Sequence, residues 1–280
     1  SRTTAPRIRE LEAMIDPESS YTYVPSWPHQ LGSLGGGNHF IELSADETGT
    51  VWAVLHSGSR GVGYRIAEHH IRLAQAHCQR RGIELPNRDL AYFVTSEPGF
   101  DAYLRDLHWA QEFARRNRDE MMDRVLMTLS WTMFGEDGHQ RELEVERINC
   151  HHNFTQVEHH FGEDVWVTRK GAIEARGGMR AVIPGSMGTR SYIVSGLGDP
   201  MSFCSAPHGA GRRFSRGEAR RRFTMADLER QMHGIEHRSA PVLLDEIPSA
   251  YKDIDTVMLR SSTLVAVEHT LHQIVNVKGN

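Results

Sequence analysis

Residues Val145–Val194 read VERINCHHNFTQVEHHFGEDVWVTRKGAIEARGGMRAVIPGSMGTRSYIV. Short runs of Val, Ile, Thr and aromatic residues predict strands around Val145–Asn149, Val165–Thr168 and Ser191–Val194, and the glycines between them mark turns. Just upstream, Phe100–Leu129 carries Tyr103, Leu104, Leu107, Ala110, Phe113 and Ala114 on one helical stripe that Met121, Met122, Val125 and Leu129 continue. That spacing predicts a long helix packed on a core, with the methionines as filler. Gly135 and Gly138 break the pattern before the β-rich stretch begins. A helix followed by a run of strands points to α+β architecture rather than regular βαβ alternation.

Further out, His39–Leu43 and Val51–His56 read as strands beside glycine-rich turns, and Val62–Gly82 as an amphipathic helix that Gly82 ends. Arg7–Ile15 is a short charged helix followed by a Pro- and Tyr-bearing connector to about Gln30, while Thr224–His233 and Asp253–His272 read as helices and Val275–Val277 as a closing strand. The expected fold is a β-rich core of mixed sheets with peripheral helices, in one domain across residues 1–280.

At 39% hydrophobic content a chain of 280 residues can bury a substantial core. No window approaches 18 consecutive apolar residues and the first thirty residues are polar, so neither a membrane span nor a secretory leader is visible and a cytoplasmic enzyme is expected. Cys78, Cys150 and Cys204 are scattered, which predicts free thiols rather than a disulfide framework. A net charge of -4 excludes a general electrostatic bias toward nucleic acid, so any such contact is local. Histidine, at seventeen residues, is unusually frequent, and its imidazole is the commonest transition-metal ligand and acid–base group.

Three histidine segments share a design, each an imidazole at a strand edge beside small or amide-bearing residues: Gly35-Gly36-Gly37-Asn38-His39-Phe40, His56-Ser57-Gly58-Ser59-Arg60-Gly61 and Asn149-Cys150-His151-His152-Asn153-Phe154. Their imidazoles either converge on a transition metal or hold loops together. Pro184-Gly185-Ser186-Met187-Gly188-Thr189-Arg190-Ser191 has the glycines and hydroxyls of a phosphate nest and equally those of a plain turn; it is not a Walker loop. In Pro207-His208-Gly209-Ala210-Gly211-Arg212 the imidazole has almost no steric cover, as a nucleophile attacking a nucleotide α-phosphate requires, although a flexible hinge with an incidental histidine has the same composition. The basic run Arg212, Arg213, Arg216, Arg220, Arg221 and Arg222, interleaved with Phe214 and Phe223, suits RNA phosphates and bases or a solvated helix face.

Taken in order, these segments together with Tyr251-Lys252-Asp253-Ile254-Asp255 and Val277-Lys278-Gly279 resemble the RtcB family of RNA-splicing ligases, bacterial branch, from about Leu31 to Gly279. The resemblance implies a β-rich core surrounded by helices and a GTP-dependent, Mn²⁺-using enzyme. Such an enzyme joins an RNA 3′-phosphate or 2′,3′-cyclic phosphate end to a 5′-hydroxyl end in tRNA splicing and RNA repair, and archease activates some members. By motif, His208 is implied to carry guanylate, and His39, His56 and His152 to bind metal. Asn38, His39, Phe40, Ile41, Glu42, His152, Asn153, Pro184, Gly185, Ser186, Met187, Ser191, His208, Gly209, Ala210, Gly211 and Lys278 match the guanylate pocket.

Two family motifs, Asp-Val-His-Leu-Gly and Asp-x-Gly-Cys, do not occur in this sequence; Cys78 has Gln75 where the partnering Asp would stand. Ala206-Pro207 also replaces the more usual Cys-Ser before His208. The expectation is therefore the C-terminal two-thirds of a full-length ligase, with another chain or segment supplying the missing Asp and Cys. The alternative is a non-catalytic relative that binds guanine nucleotide or RNA ends.

Overall fold

The computed structural model describes residues 3–16, 26–140 and 142–279. The middle of the connector expected before Gln30, residues 17–25, lies outside them. The chain divides into two compact units, Ser1–Ser33 with Ser57–Asp123, and Leu34–His56 with Arg124–Asn280.

The first unit is helical: α1 (Thr4–Ala13), α2 (Trp27–Gln30), α3 (Arg60–Arg80) and, to Asp123, the long α4 (Pro98–Phe134). On α3 the buried residues Val62, Ile66, His70, Ala74 and Cys78 recur every fourth position, one stripe of a 3.6-residue helix. Its apolar part meets Leu11, Trp27, Leu31, Trp109, Ala110 and Phe113. Trp27 stands edge-on to Trp109 and Phe113, and the Trp109 indole N–H donates to the Leu11 carbonyl at 3.1 Å. Buried Asn117 on α4 closes this unit's loops. Its Oδ1 accepts from the Gly32 and Ser33 amides at 2.7 and 3.2 Å, and its Nδ2 donates to the Ser33 and Gly58 carbonyls and the Ser57 hydroxyl.

The second unit is built on a six-stranded sheet of order β2-β1-β10-β7-β6, with β9 beside β10. The strands are β1 (Phe40–Ala45), β2 (Val51–His56), β6 (Arg180–Ile183), β7 (Ser191–Gly196), β9 (Glu236–His237) and β10 (Val265–Lys278). All pairings are antiparallel except that of β9 with β10. Two small ribbons complete the β structure, β3 (Asn153–His160) with β4 (Glu163–Lys170) and β5 (Ala172–Glu174) with β8 (Ser205–Pro207). Helices α5 (Arg216–Arg222), α6 (Met225–Gln231) and α7 (Ile254–Arg260) pack around them; a capping box of Thr224 and Asp227 starts α6. The mixed α+β character agrees with the sequence reading.

Two local expectations are corrected. Val145–Asn149 forms no strand; Val145 is fully exposed, and the strand begins at Asn153, where β4 supplies a partner. The helix expected over Asp253–His272 stops at Arg260, and Val265–Lys278 is one long strand. Val265, Val267 and Leu271 can satisfy their backbone on β7, and that pairing overrides the helical spacing. The three cysteines are free, and no described helix is long and apolar enough to cross a membrane.

Along β1 alternate residues Phe40, Glu42 and Ser44 point inward, so a carboxylate is buried in the sheet face. Burial pushes Glu42 up to about 7, against hydrogen bonds from the Ser191 hydroxyl at 2.8 Å and the Ser44 hydroxyl at 3.4 Å.

Two outcomes follow for stability. Asn117→Ala strands the loop groups that the side chain ties down and should cost about 2–4 kcal/mol, read as a lower urea midpoint at unchanged m-value. Glu42 has a folded value above its unfolded one, so its contribution is present at low pH and is lost as pH rises through about 7. Urea titrations at about pH 5 and about pH 8 should show wild type losing roughly 2–3 kcal/mol more than Glu42→Gln.

Candidate functional site

Three strand ends set the first wall of the site. Phe40 at the start of β1 pairs with His56 at the end of β2 on one side and with Lys278 at the end of β10 on the other. Antiparallel partners share a face, so His56, Phe40 and Lys278 form one row. The Phe40 ring lies edge-on to His56, and the Lys278 ammonium sits 5.5 Å from that ring. The turn that delivers Asn38 and His39 carries positive φ at Gly35 and Gly37, and a Cβ at Gly37 would overlap the guanidinium of Arg216. Arg216 therefore rests on the backbone immediately before Asn38, at a position whose φ of 74° itself favours glycine.

The second wall comes from the ribbons. The Gly171 amide donates to the His152 carbonyl at 2.8 Å and to Asn153 Oδ1 at 2.9 Å, which fixes the end of β4 against the start of β3. Ala172 pairs with Pro207, and that register brings His208 over Gly171. The Gly171 carbonyl then accepts from the His208 backbone amide at 3.3 Å and from the ring at Nδ1, 2.7 Å away. A carbonyl can only accept, so Nδ1 carries the proton and Nε2 keeps its lone pair. Burial lowers the His208 value, opposed by the Gly171 bond and helped by Lys170, so the neutral ring dominates near pH 7.

Four imidazoles from four chain segments meet here. Ring centroids lie 4.8 Å apart for His152–His208 and for His56–His152, 5.8 Å for His39–His56 and 6.2 Å for His56–His208. His56 and His152 face each other Nε2 to Nε2 at 3.0 Å, one ring donating to the other. Burial, then His152, His39 and His208, lowers His56 well below the ordinary histidine value, so it is neutral. Among the described residues no group of three or more His, Cys, Asp or Glu side chains is arranged to hold a metal ion. The donor chemistry still fits one ion that prefers imidazole. Two nitrogens about 2.0 Å from a tetrahedral metal would lie about 3.3 Å apart, near the separation of His56 and His152. Cys78 takes no part: it is buried on α3 with its thiol directed at the Tyr92 carbonyl.

The remaining sequence candidates divide by environment. Lys278 is buried, with its ammonium 3.3 Å from Glu246; burial lowers its value and Glu246 opposes the shift. Glu42 and Ser191 hydrogen-bond to each other, whereas Ile41, one residue along β1, points to the opposite face. Gly209 passes so close to the Pro184 carbonyl that a Cβ would press on it, which packs the His208 loop on the Pro184–Met187 loop. That second loop is a well-bonded turn: the Ser186 amide donates to Thr189 Oγ1, the Gly188 amide to Gln273 Oε1 and the Thr189 amide to the Ser186 carbonyl. Those three amides are occupied within the protein and do not face an anion. Met187 and Ala210 are core residues, Met187 packed with Ala219, Leu228 and Met232.

The arginine run is largely engaged within the fold. Arg212, Arg216 and Arg220 turn toward buried Asp245 and Glu246, and Arg222 pairs with Glu218 and covers the Phe214 ring at 4.3 Å. Phe214 and Phe223 contact each other at 6.0 Å. Sequence reasoning missed the Gly171 carbonyl, which has no side-chain signature, and Asp245–Glu246, whose only signal was an acidic pair in a chain with an unmatched basic run.

The family described as "tRNA-splicing ligase RtcB" matches residues 7–279. The RNA-splicing ligase RtcB of Escherichia coli K12 is 51% identical over 249 residues, covering 89% of this chain and 61% of that protein. The tRNA-splicing ligase RtcB of Pyrobaculum aerophilum is 34% identical over 269 residues, covering 82% and 55%, and the RNA-splicing ligase RtcB of Mycobacterium tuberculosis 33% over 264 residues, covering 82% and 60%. The chain thus spans about three-fifths of the length of these relatives. With the family match running over residues 7–279 and a relative 51% identical over 89% of its length, the chain belongs to the RtcB family of tRNA-splicing ligases.

Proposed function

We propose that this chain carries the nucleotide-transfer site of a GTP- and Mn²⁺-dependent RNA ligase. The enzyme joins RNA 3′-phosphate or 2′,3′-cyclic phosphate ends to 5′-hydroxyl ends in tRNA splicing and RNA repair, and residues 1–280 act as one catalytic domain of a longer cytoplasmic ligase. The observation that carries the reading is the hydrogen bond from His208 Nδ1 to the Gly171 carbonyl. It holds the ring in the tautomer whose Nε2 is nucleophilic and keeps that nitrogen aimed without a side-chain base.

In the proposed sequence His208 Nε2 bonds to the α-phosphorus of GTP and the bond to pyrophosphate breaks. Where the RNA end is a 2′,3′-cyclic phosphate, water first adds to its phosphorus and the bond to the 2′-oxygen breaks. An oxygen of the 3′-phosphate next attacks the guanylate phosphorus, and the histidine leaves with its lone pair restored. The RNA end then carries guanylate through a phosphoanhydride. When the 5′-hydroxyl oxygen attacks the RNA phosphorus, GMP departs and its proton passes to solvent. Activation is needed because a phosphate monoester has no good leaving group. His39, His56 and His152 would hold metal, which when bound neutralises phosphate charge and orients the reacting groups. Lys278 would offset charge on the nucleotide. Asn38 through Glu42, Asn153, Pro184 through Met187, Ser191 and Gly209 through Gly211 would form the guanylate pocket with it. The Asp and Cys donors of a paired metal site would come from a segment or chain carrying the two motifs that do not occur in this sequence, and archease would act on the assembled enzyme.

The test is covalent labelling. A polypeptide that joins this chain to the upstream Asp and Cys motifs, incubated with Mn²⁺ and α-labelled GTP, should acquire acid-labile, hydroxylamine-resistant label. Peptide mapping should place it on His208, and His208→Asn should reduce it to background. Absence of label in that longer polypeptide would overturn the transfer reading, and GMP binding without label would leave a non-catalytic guanine-nucleotide binder.

A further inference from the structure

Beneath the Asn38–His39 turn and the end of β10 lies a charge cluster whose two carboxylates stand outside the motif series. Asp245 and Glu246 close the 3₁₀ turn Pro241–Glu246, and both are buried. Glu246 Oε1 takes Arg212 Nη1 at 3.1 Å and Arg216 Nε at 3.5 Å, and its Oε2 takes the Tyr251 hydroxyl at 2.5 Å and Lys278 Nζ at 3.3 Å. Asp245 takes Arg220 at 2.9 Å on its carboxylate and Arg212 Nη2 at 2.5 Å on its carbonyl.

Two carboxylates thus face four cations, and the cluster carries two positive charges more than it neutralises. Arg216 and Arg220 are half exposed and water screens much of their charge; Lys278 and Glu246 are almost closed to solvent and have no such relief. A surplus of this kind beside a buried ammonium favours an anionic occupant. The cations also come from the segments that frame the site. Arg212 follows His208 by four residues, Arg216 lies on the Gly37 backbone, and Lys278 is in register with Phe40. Among the described residues Glu246 is the one acceptor that touches all three.

We propose that Glu246 is a positioning residue that holds the Lys278 ammonium, with Arg212 and Arg216, in the geometry that receives the nucleotide. It touches no substrate and acts through those cations. The Tyr251 hydroxyl, donating to Glu246 and lying beside Arg212 Nη1 at 3.1 Å, keeps the carboxylate turned toward them. The inference rests on the nucleotide reading above and extends it to a residue outside the pocket motifs.

Two measurements on the same variants separate the inference from that reading. The first is the rate at which a lysine-selective acylating reagent modifies Lys278, followed by mass spectrometry. Glu246→Gln should raise that rate by about tenfold while the melting profile stays cooperative, because an amide neither holds nor charges the amine as a carboxylate does. Tyr251→Phe, which leaves the charges in place, should raise it by a smaller factor and serves if the first variant does not fold. The second is GMP affinity by calorimetry for wild type, Glu246→Gln, Lys278→Met and the double variant. Each single change should weaken binding by about tenfold, and the double should be weaker than Lys278→Met by no more than about twofold, since Glu246 acts largely through that amine. An unchanged Lys278 rate in folded Glu246→Gln, or losses that multiply in the double variant, would overturn the positioning role. Wild type that fails to bind GMP while Lys278 still responds would overturn the nucleotide reading and leave the restraint on Lys278 standing.

Discussion

The fourteen residues of β10 bear on the candidate site more directly than any other element of the second unit. Val265–Leu271 pair with β7, and His272–Lys278 pair with β1. One strand therefore carries two registers, and each places chemistry. The first brings Ser191 within reach of Glu42; the second sets Lys278 opposite Phe40, whose other neighbour is His56. A slip of one residue would turn Lys278 to the opposite face and remove it from Glu246, because side chains alternate along a strand. Opposite the step from Leu43 to Ser44, β10 carries one extra residue, Ile274, and this bulge leaves the row at Phe40 in register.

Buried carboxylates then divide the labour, and their surroundings decide how. Glu42 has hydroxyl donors and no cation in direct contact, so burial dominates and its carboxyl approaches neutrality. At Glu158 burial pushes the same way, but Arg169, His160 and Gln156 hold the carboxylate below its ordinary range. Glu246 meets two guanidiniums, an ammonium and a phenol, and links segments far apart in the chain. The same side-chain chemistry thus yields a near-neutral group in a sheet face, a fixed ion in a ribbon and a junction under the site.

The Gly171 carbonyl does for His208 what a carboxylate does in many catalytic dyads, with one difference. An uncharged acceptor fixes the tautomer without the stabilisation of imidazolium that an anion would add. Together with burial, this keeps the ring neutral, as the proposed attack on phosphorus requires.

Much of the architecture was legible in local pattern: the helix α3 ending at Gly82, the length of α4, the strands β1 and β2, and the glycines beside His39, His56 and His208. The strand pairings were not. Val265–His272 has helical spacing and strand-forming residues together, and only β7 as a partner resolves the conflict. Val145–Asn149 alternates well enough for a strand but has no described neighbour to pair with. At the site, the sequence by itself determined which residue types were present and where glycine had to stand, since Gly37 takes a positive φ and Gly209 lies against the Pro184 carbonyl. Only the tertiary structure decided that the four imidazoles meet, that a backbone carbonyl orients His208, and that three of the six arginines in the run turn to Asp245 and Glu246. The reason is physical: a tautomer, a shifted pKa and a charge balance depend on atoms brought together across the fold, and no local stretch of sequence contains them.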